Sequence, residues 1–322
     1  MTGLPGAPAG GAAHHAGGAG DAGGAGDPGA AGAGAVDAGA VDAVAVDDAG
    51  AVGDAGAVPV RVGVALVTGG SRGLGREAAR ALTGAGWAVA VTGRDGAALD
   101  AVVAAGDAAL ALPGDATDEA ATAHAVRRAE DELGPVDLLL VNAGAFAAGG
   151  RLWEADLELW WRDVEVNLRG PAVALHAVLP SMVARGSGRV VVMGSGFGTA
   201  ATPGASAYAS SKAAVMRLVD TVAEELAGTG VVALAVSPGM VPTDMTHGFP
   251  EGFLALRPDL RDPAPQAWTP STAFTALLLR IAAGELDALH GRFVRARDDV
   301  DALLVRAQDP AAGTLRLHPW TG

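Results

Sequence analysis

No cysteine occurs among the 322 residues, which excludes disulfide cross-links and thiolate metal sites. Tyrosine occurs once, at Tyr208, and lysine once, at Lys212, in a chain whose other cations are all arginine. No apolar run approaches the ~20 residues that cross a bilayer, and no basic segment precedes Arg61 as a secretory or transit leader would require. A soluble cytoplasmic protein without membrane contacts is therefore expected. The formal net charge is −14, which argues against nucleic acid as a partner, because phosphate binding needs clustered cations. His14 and His15 lack a spaced third ligand and read as a solvated dipeptide, so no metal site is expected.

What is present divides the chain in two. Up to Val60 there is no Lys, Arg or Glu, only small and apolar residues with seven Asp and two His, in loose repeats such as Gly23-Gly24-Ala25-Gly26-Asp27. Such a segment has too little bulky apolar surface to offset its chain entropy, and residues 1–58 are expected to form a disordered acidic tail. Residues 59–322 suffice for one large α/β domain with a sizeable core.

Along that body, short β-branched runs alternate with Ala- and Leu-rich helical stretches. Segments 62–68, 88–92, 108–112, 136–141, 189–193 and 231–236 are nearly continuous apolar runs, the signature of strands buried on both faces. Helices are expected over 75–83, 96–104, 118–133, 157–185 and 206–226. This alternation predicts a three-layer, doubly wound parallel sheet, a Rossmann fold, with ligands gathering at the C-terminal strand ends.

The first strand end carries Thr68-Gly69-Gly70-Ser71-Arg72-Gly73-Leu74-Gly75. Glycines there let the backbone approach a pyrophosphate whose charge meets free N–H groups at the following helix. The spacing from Gly70 to Gly75 also fits a P-loop, but Arg76-Glu77 stands where Lys-Ser/Thr is required, so a dinucleotide suits the loop better than ATP. Tyr208 and Lys212 are four residues apart, hence on one helix face, where an ammonium favours an ionised phenol and the pair forms a tuned acid/base.

Read together, these segments resemble the short-chain dehydrogenase/reductase family from about Arg61 to Arg297. Its glycine motif is met by Thr68, Gly69, Gly73 and Gly75, with Ser71, Arg72 and Leu74 between them, and its Asn-Ala-Gly element by Asn142, Ala143 and Gly144. Asn167 in a Val-Asn-Leu context, Ser195 at the end of strand five, and Tyr208 with Lys212 match its catalytic residues. Pro238, Gly239 and Thr243 match its nicotinamide loop.

The resemblance implies an oxidoreductase that interconverts a carbonyl and an alcohol on a small molecule with a nicotinamide cofactor. Tyr208 would be the proton donor, Ser195 a second donor to the same oxygen, Lys212 a cation that acidifies Tyr208 and holds the nicotinamide ribose, and Asn167 the holder of a water leading to solvent. Asp115 resembles the family's adenine-contacting aspartate, with a helix N-cap as its competing role.

Members that prefer NAD usually place a carboxylate at the end of the second strand. Here Arg94 stands there, and with Arg72 it suits the extra phosphate of NADP. NADP is favoured, NAD is the alternative, and Asp95 is placed to neutralise Arg94. A homodimer or homotetramer is implied by analogy.

Two other function classes are weighed. A hydrolase lacks its nucleophile elbow, since Ser195 sits in Gly194-Ser195-Gly196. A non-catalytic NADP-binding regulator would need the glycine loop but have no use for Tyr208 as an acid. Trp153, Trp160 and Trp161 are expected in core packing or a subunit interface. Met245, Phe249, Phe253 and Leu254 would form a mobile apolar lid. The chain departs from the family after about Arg297, where a helix and a terminal extended piece around Thr314 to Leu317 are expected.

Overall fold

A computed structural model describes residues 62–307. The tail expected over 1–58 and the extended piece at 314–317 lie outside the described residues. Within them, seven parallel strands form one sheet in the order β3-β2-β1-β4-β5-β6-β7: β1 (Val64–Thr68), β2 (Ala88–Gly93), β3 (Leu110–Pro113), β4 (Val136–Val141), β5 (Gly188–Met193), β6 (Val231–Ser237) and β7 (Phe293–Arg295). The order reverses between β1 and β4, which opens the crevice where doubly wound sheets bind ligands.

Helices α1 (Gly73–Gly84), α2 (Gly96–Ala104), α3 (Glu119–Leu133), α4 (Leu157–Val164), α5 (Gly170–Arg185) and α6 (Ser206–Glu225) cross between strands, followed by short α7 (Asp244–His247) and α8 (Glu251–Leu256), then α9 (Ser271–Ala282) and α10 (Val300–Ala307). Alternate strand residues feed two apolar layers. Leu66, Leu139 and Val190 meet Val178 and Val219 on one face. Val67, Leu138 and Val191 meet Leu82, Phe274 and Leu278 on the other. Both faces are thus covered, as the uninterrupted apolar strands require.

Two expectations need correction. The single helix over 157–185 is broken by a π-turn at Glu165–Arg169, an insertion that turns a side chain out of the regular helical register. Helix α9 went unassigned, although Ala273-Phe274 and Leu277-Leu278 repeat at helical spacing. The helix expected after Asp298 is present as α10. Among the described residues no helix is long and apolar enough to cross a membrane.

Candidate active site

The glycine loop owes its shape to contacts that exclude side chains. A Cβ on Gly75 would lie 2.2 Å from the Gly69 carbonyl oxygen, and Gly69 and Gly73 hold φ of +66° and +52°, values that glycine tolerates best. Thr68 and Asn142 tie this loop to β4. Thr68 Oγ1 accepts from the backbone N–H groups of Asn142 and Ala143 at 3.0 and 3.1 Å, while Asn142 Nδ2 donates to the carbonyls of Thr68 and Gly69 at 3.0 and 3.1 Å. No side chain caps α1 and no acid lies in its first turn, which leaves its N-terminus open to an anion.

Other expected cofactor residues surround this cradle. Arg94 is exposed at the end of β2, and no ion pair to it is found among the described residues. Asp95, placed by its sequence position to neutralise Arg94, instead caps α2 by accepting from Ala98 N–H at 3.1 Å. Arg72 reaches Asp244 at 3.3 Å, with both side chains more than 70 % exposed, so the pair is weak. Asp115 accepts from Thr117 N–H and Oγ1 at 2.9 and 2.8 Å. Those bonds, with a smaller contribution from the Arg94 guanidinium, hold its carboxyl below the usual value. The competing N-cap role falls to Asp118, which accepts from Ala121 N–H. On the far side, Gly239 packs against Thr269 with φ of +79°. Thr243 caps α7 in a reciprocal box with Thr246, and its methyl group faces the Gly73 backbone.

The four candidate catalytic residues converge where β4, β5 and α6 meet. Lys212 is buried, and its Nζ donates to the Met193 carbonyl at 2.7 Å and stands 5.7 Å from the Tyr208 ring centre. Ser195 starts a 3₁₀ turn by accepting from Phe197 N–H at 3.2 Å, and it lies on the same cavity wall as Tyr208, close enough to lower the pKa of its hydroxyl. Asn167, in the π-turn, is fully buried. Its Nδ2 donates to Ala145 O and Ser211 Oγ at 2.8 and 3.1 Å, and its Oδ1 accepts from Ala145 N–H at 2.9 Å. Both amide protons are therefore committed, which leaves one lone pair on Oδ1 to meet a water.

Burial governs the ionisation of the pair. Loss of hydration pushes the Tyr208 phenol up to about 12, opposed by the hydrogen bond from Ser195 and reinforced by the Asp163 carboxylate. The same loss brings the Lys212 ammonium down to about 8. The expected acidification of Tyr208 by Lys212 is thus not what this environment imposes, because desolvation of both groups outweighs their proximity.

Sequence reasoning missed several residues here. Asp163 is fully buried, with its carboxyl raised by desolvation. It accepts from the backbone N–H groups of Ala147 at 3.0 and 2.9 Å and Ala148 at 2.8 Å. Its position four residues before Asn167 was the available signal. The segment it pins carries Phe146, whose ring stacks on Tyr208 at 4.7 Å and 17°, while Phe197 meets Tyr208 edge-on at 6.2 Å. No periodicity marks either phenylalanine.

Of the expected lid residues, Met245 and Phe249 line the cavity beside Tyr208. Phe253 is fully buried beneath them, with Leu254 packed against the same cluster. Trp160 donates to Ser206 Oγ at 3.0 Å. Trp153 and Trp161 are 81 % and 59 % exposed and so take no part in the core of this chain.

Tyr208, Ser195, Phe146 and Gly239 share one cavity of about 480 Å³, the size of a small-molecule site. A carbonyl-bearing ligand in it would meet the two hydroxyls of Ser195 and Tyr208 beside the aromatic rings of Phe146 and Phe197. The family model for short chain dehydrogenases matches residues 63–252, and the chain belongs to that family.

A short chain dehydrogenase of Pseudocercospora fijiensis is 36% identical over 78% of this chain and 85% of its own length. A 2-dehydro-3-deoxy-L-rhamnonate dehydrogenase (NAD(+)) of a Sphingomonas species is 36% identical over 58% of this chain and 75% of its own. The crystal structure of levodione reductase superposes with a TM-score of 0.66 at 26% identity, over 72% of this chain and 95% of that one. The protein is an NAD(P)-dependent short-chain oxidoreductase acting on hydroxyl or carbonyl groups.

Asp163→Ala would strand the Ala147 and Ala148 N–H groups in a buried site. Stability should fall by about 1 to 3 kcal/mol, read as a lower urea midpoint at unchanged slope. An unaltered midpoint would remove Asp163 as the anchor of this loop.

Proposed function

We propose that the protein reversibly reduces a small ketone, aldehyde or oxoacyl carbonyl to the alcohol, using NADP and Tyr208 as acid and base. The observation that carries this reading is the placing of Ser195 and Tyr208 on one cavity wall, with Lys212 Nζ fixed behind them by Met193 O. A nicotinamide cofactor, when bound, supplies the hydride in reduction and takes it up in oxidation.

The residues of the chain manage the oxygen. In reduction, the Tyr208 hydroxyl gives its proton to the carbonyl oxygen as negative charge develops there, and the Ser195 hydroxyl turns its single proton to the same atom. Burial keeps the phenol protonated at neutral pH, so the acid is loaded for this direction. The Lys212 ammonium stabilises the phenolate left behind, at close range and away from bulk water. A Cβ on Gly144 would stand 3.2 Å from Asn167 Oδ1 and 3.8 Å from Lys212 Nζ. The glycine thus lets the backbone pass close to both groups, and the remaining Oδ1 lone pair of Asn167 would hold the water that returns protons to the site.

Cofactor choice rests on β2 and the glycine loop. The cradle fits a dinucleotide, and an exposed Arg94 that forms no ion pair among the described residues favours the additional phosphate of NADP. The Sphingomonas relative is named for NAD(+), so the preference rests on this chain's own arginines. The exposed Leu152, Trp153, Leu157 and Trp161 at the start of α4 favour a homodimer or homotetramer, and a cytoplasmic location is consistent with the absence of a spanning helix among the described residues.

Consumption of NADPH over a panel of aldehydes, ketones and oxoacyl thioesters tests the reading. Tyr208→Phe should retain dinucleotide binding and lose about a hundredfold to ten-thousandfold in turnover, whereas Lys212→Ala should damage both. A fully active Tyr208→Phe protein would contradict the role given to Tyr208, and dinucleotide binding without turnover on any member of the panel would point instead to a non-catalytic dinucleotide-binding protein.

The pH dependence follows from the direction of the tyrosine shift. A raised phenol supplies its proton at all lower pH and becomes a base only as pH climbs towards about 12. Alcohol oxidation should therefore rise with pH across about 7 to 10, while carbonyl reduction shows no loss from tyrosine ionisation over that range. A flat oxidative profile would exclude Tyr208 as the base. Separately, Arg94→Asp should move the ratio of NADP to NAD efficiency towards NAD by about tenfold or more, and an unchanged ratio would count against the phosphate contact.

A further inference from the structure

The cavity beside Tyr208 is chemically lopsided. Phe146, Phe197, Phe249, Met240 and Met245 give it an apolar body, whereas one stretch of its wall carries Arg295, Arg297 and Asp298. The Arg295 guanidinium is already balanced, since its Nε meets Asp298 Oδ1 at 2.9 Å and its backbone N–H meets Oδ2 at 2.8 Å.

Arg297 is different. Its Nη2 donates to the carbonyl oxygens of Gln266, at 3.1 Å, and Trp268, and no carboxylate pairs with it among the described residues. Carbonyl oxygens orient a guanidinium but leave its charge in place. Arg297 thus brings an exposed positive charge, unpaired among the described residues, to the rim of the chamber in a chain whose formal net charge is −14. Arg297 also lies beyond residues 63–252, the stretch matched by the family model.

We propose that the substrate is a carbonyl or hydroxy compound with an apolar, ring-sized body and a carboxylate at its far end, and that Arg297 receives that carboxylate. This rests on the carbonyl-reductase reading above. The aromatic wall would take the body while Ser195 and Tyr208 take the reacting oxygen. With Nη2 donating to the two carbonyls, Nη1 and Nε remain to meet an oxyanion through single charge-assisted N–H bonds.

The full-length protein with NADP(H) is tested by two matched pairs. Reduction of 4-acetylbenzoate is compared with that of 4-acetylbenzamide, and binding of benzoate with that of benzamide is measured by calorimetry. The acid should lead the amide by about tenfold to a hundredfold in kcat/KM and in affinity, as expected for one charge-assisted contact. Arg297→Gln should abolish that lead, and Arg297→Lys should keep part of it.

Equal handling of acid and amide, a lead that survives Arg297→Gln, or no binding of benzoate at millimolar concentration would each overturn the proposal. The two readings separate cleanly. Arg297-dependent binding of benzoate without turnover of either ketone would keep the anion site and defeat the reductase reading. Equal reduction of both ketones would keep the reductase and defeat the anion site.

Discussion

The site is organised around one short contact, the Lys212 ammonium against the Met193 carbonyl at 2.7 Å. Met193 ends β5 and Lys212 lies on the second turn of α6, so this bond fixes the helix against the sheet edge from which Ser195 emerges two residues later. A buried ammonium is costly without partners. Its burial lowers the Lys212 pKa to about 8, which places the group near the border between charged and neutral. Tyr208, one helical turn earlier, inherits its position from that anchor and its high pKa from the same dry surroundings.

Around the anchor, the chain uses rigid backbone to do what flexible side chains would do less precisely. The π-turn aims Asn167 across to Ala145, and the reciprocal bonds between those residues hold the end of β4 beside α6. Asp163, one turn earlier, clamps the N–H groups of Ala147 and Ala148 in the same segment. Between these two clamps Phe146 has little freedom, and its ring lies flat on Tyr208. Orientation of the phenol is thereby set on one side by packing and on the other by the Ser195 hydroxyl, which is the kind of support that holds a reacting group in place.

Much of this was readable because it depends on residue identity at fixed spacing. The glycines of the first loop are required by close backbone approach, and the sole tyrosine and sole lysine are one helical turn apart. Continuous apolar runs announced a sheet covered on both faces. What was not readable depends on three-dimensional accommodation. A π-turn inserts one residue without altering composition, so 157–185 scans as a single helix. The desolvation of Tyr208 arises from Phe146, Phe197 and the segment carrying Phe249, which lie far apart in sequence, and a local rule about a neighbouring cation could not register it. Asp95 was assigned to Arg94 by adjacency, yet the open helix end three residues on competed for the carboxylate and won.

The division of labour along the chain explains why the chemistry is more legible than its target. The residues proposed to handle the dinucleotide and the oxygen lie mainly at the ends of β1, β2, β4 and β5 and on α6, inside the stretch matched by the family model. The chamber's far wall comes from the segments around α7, the loop before α9 and the end of β7, where short helices and turns replace regular elements. Turns carry few periodic constraints and tolerate change, so selectivity can be altered there without disturbing the anchor at Lys212. Arg297 belongs to this wall, and a guanidinium held by carbonyl oxygens would add a charge preference to the proposed proton-transfer site without entering it.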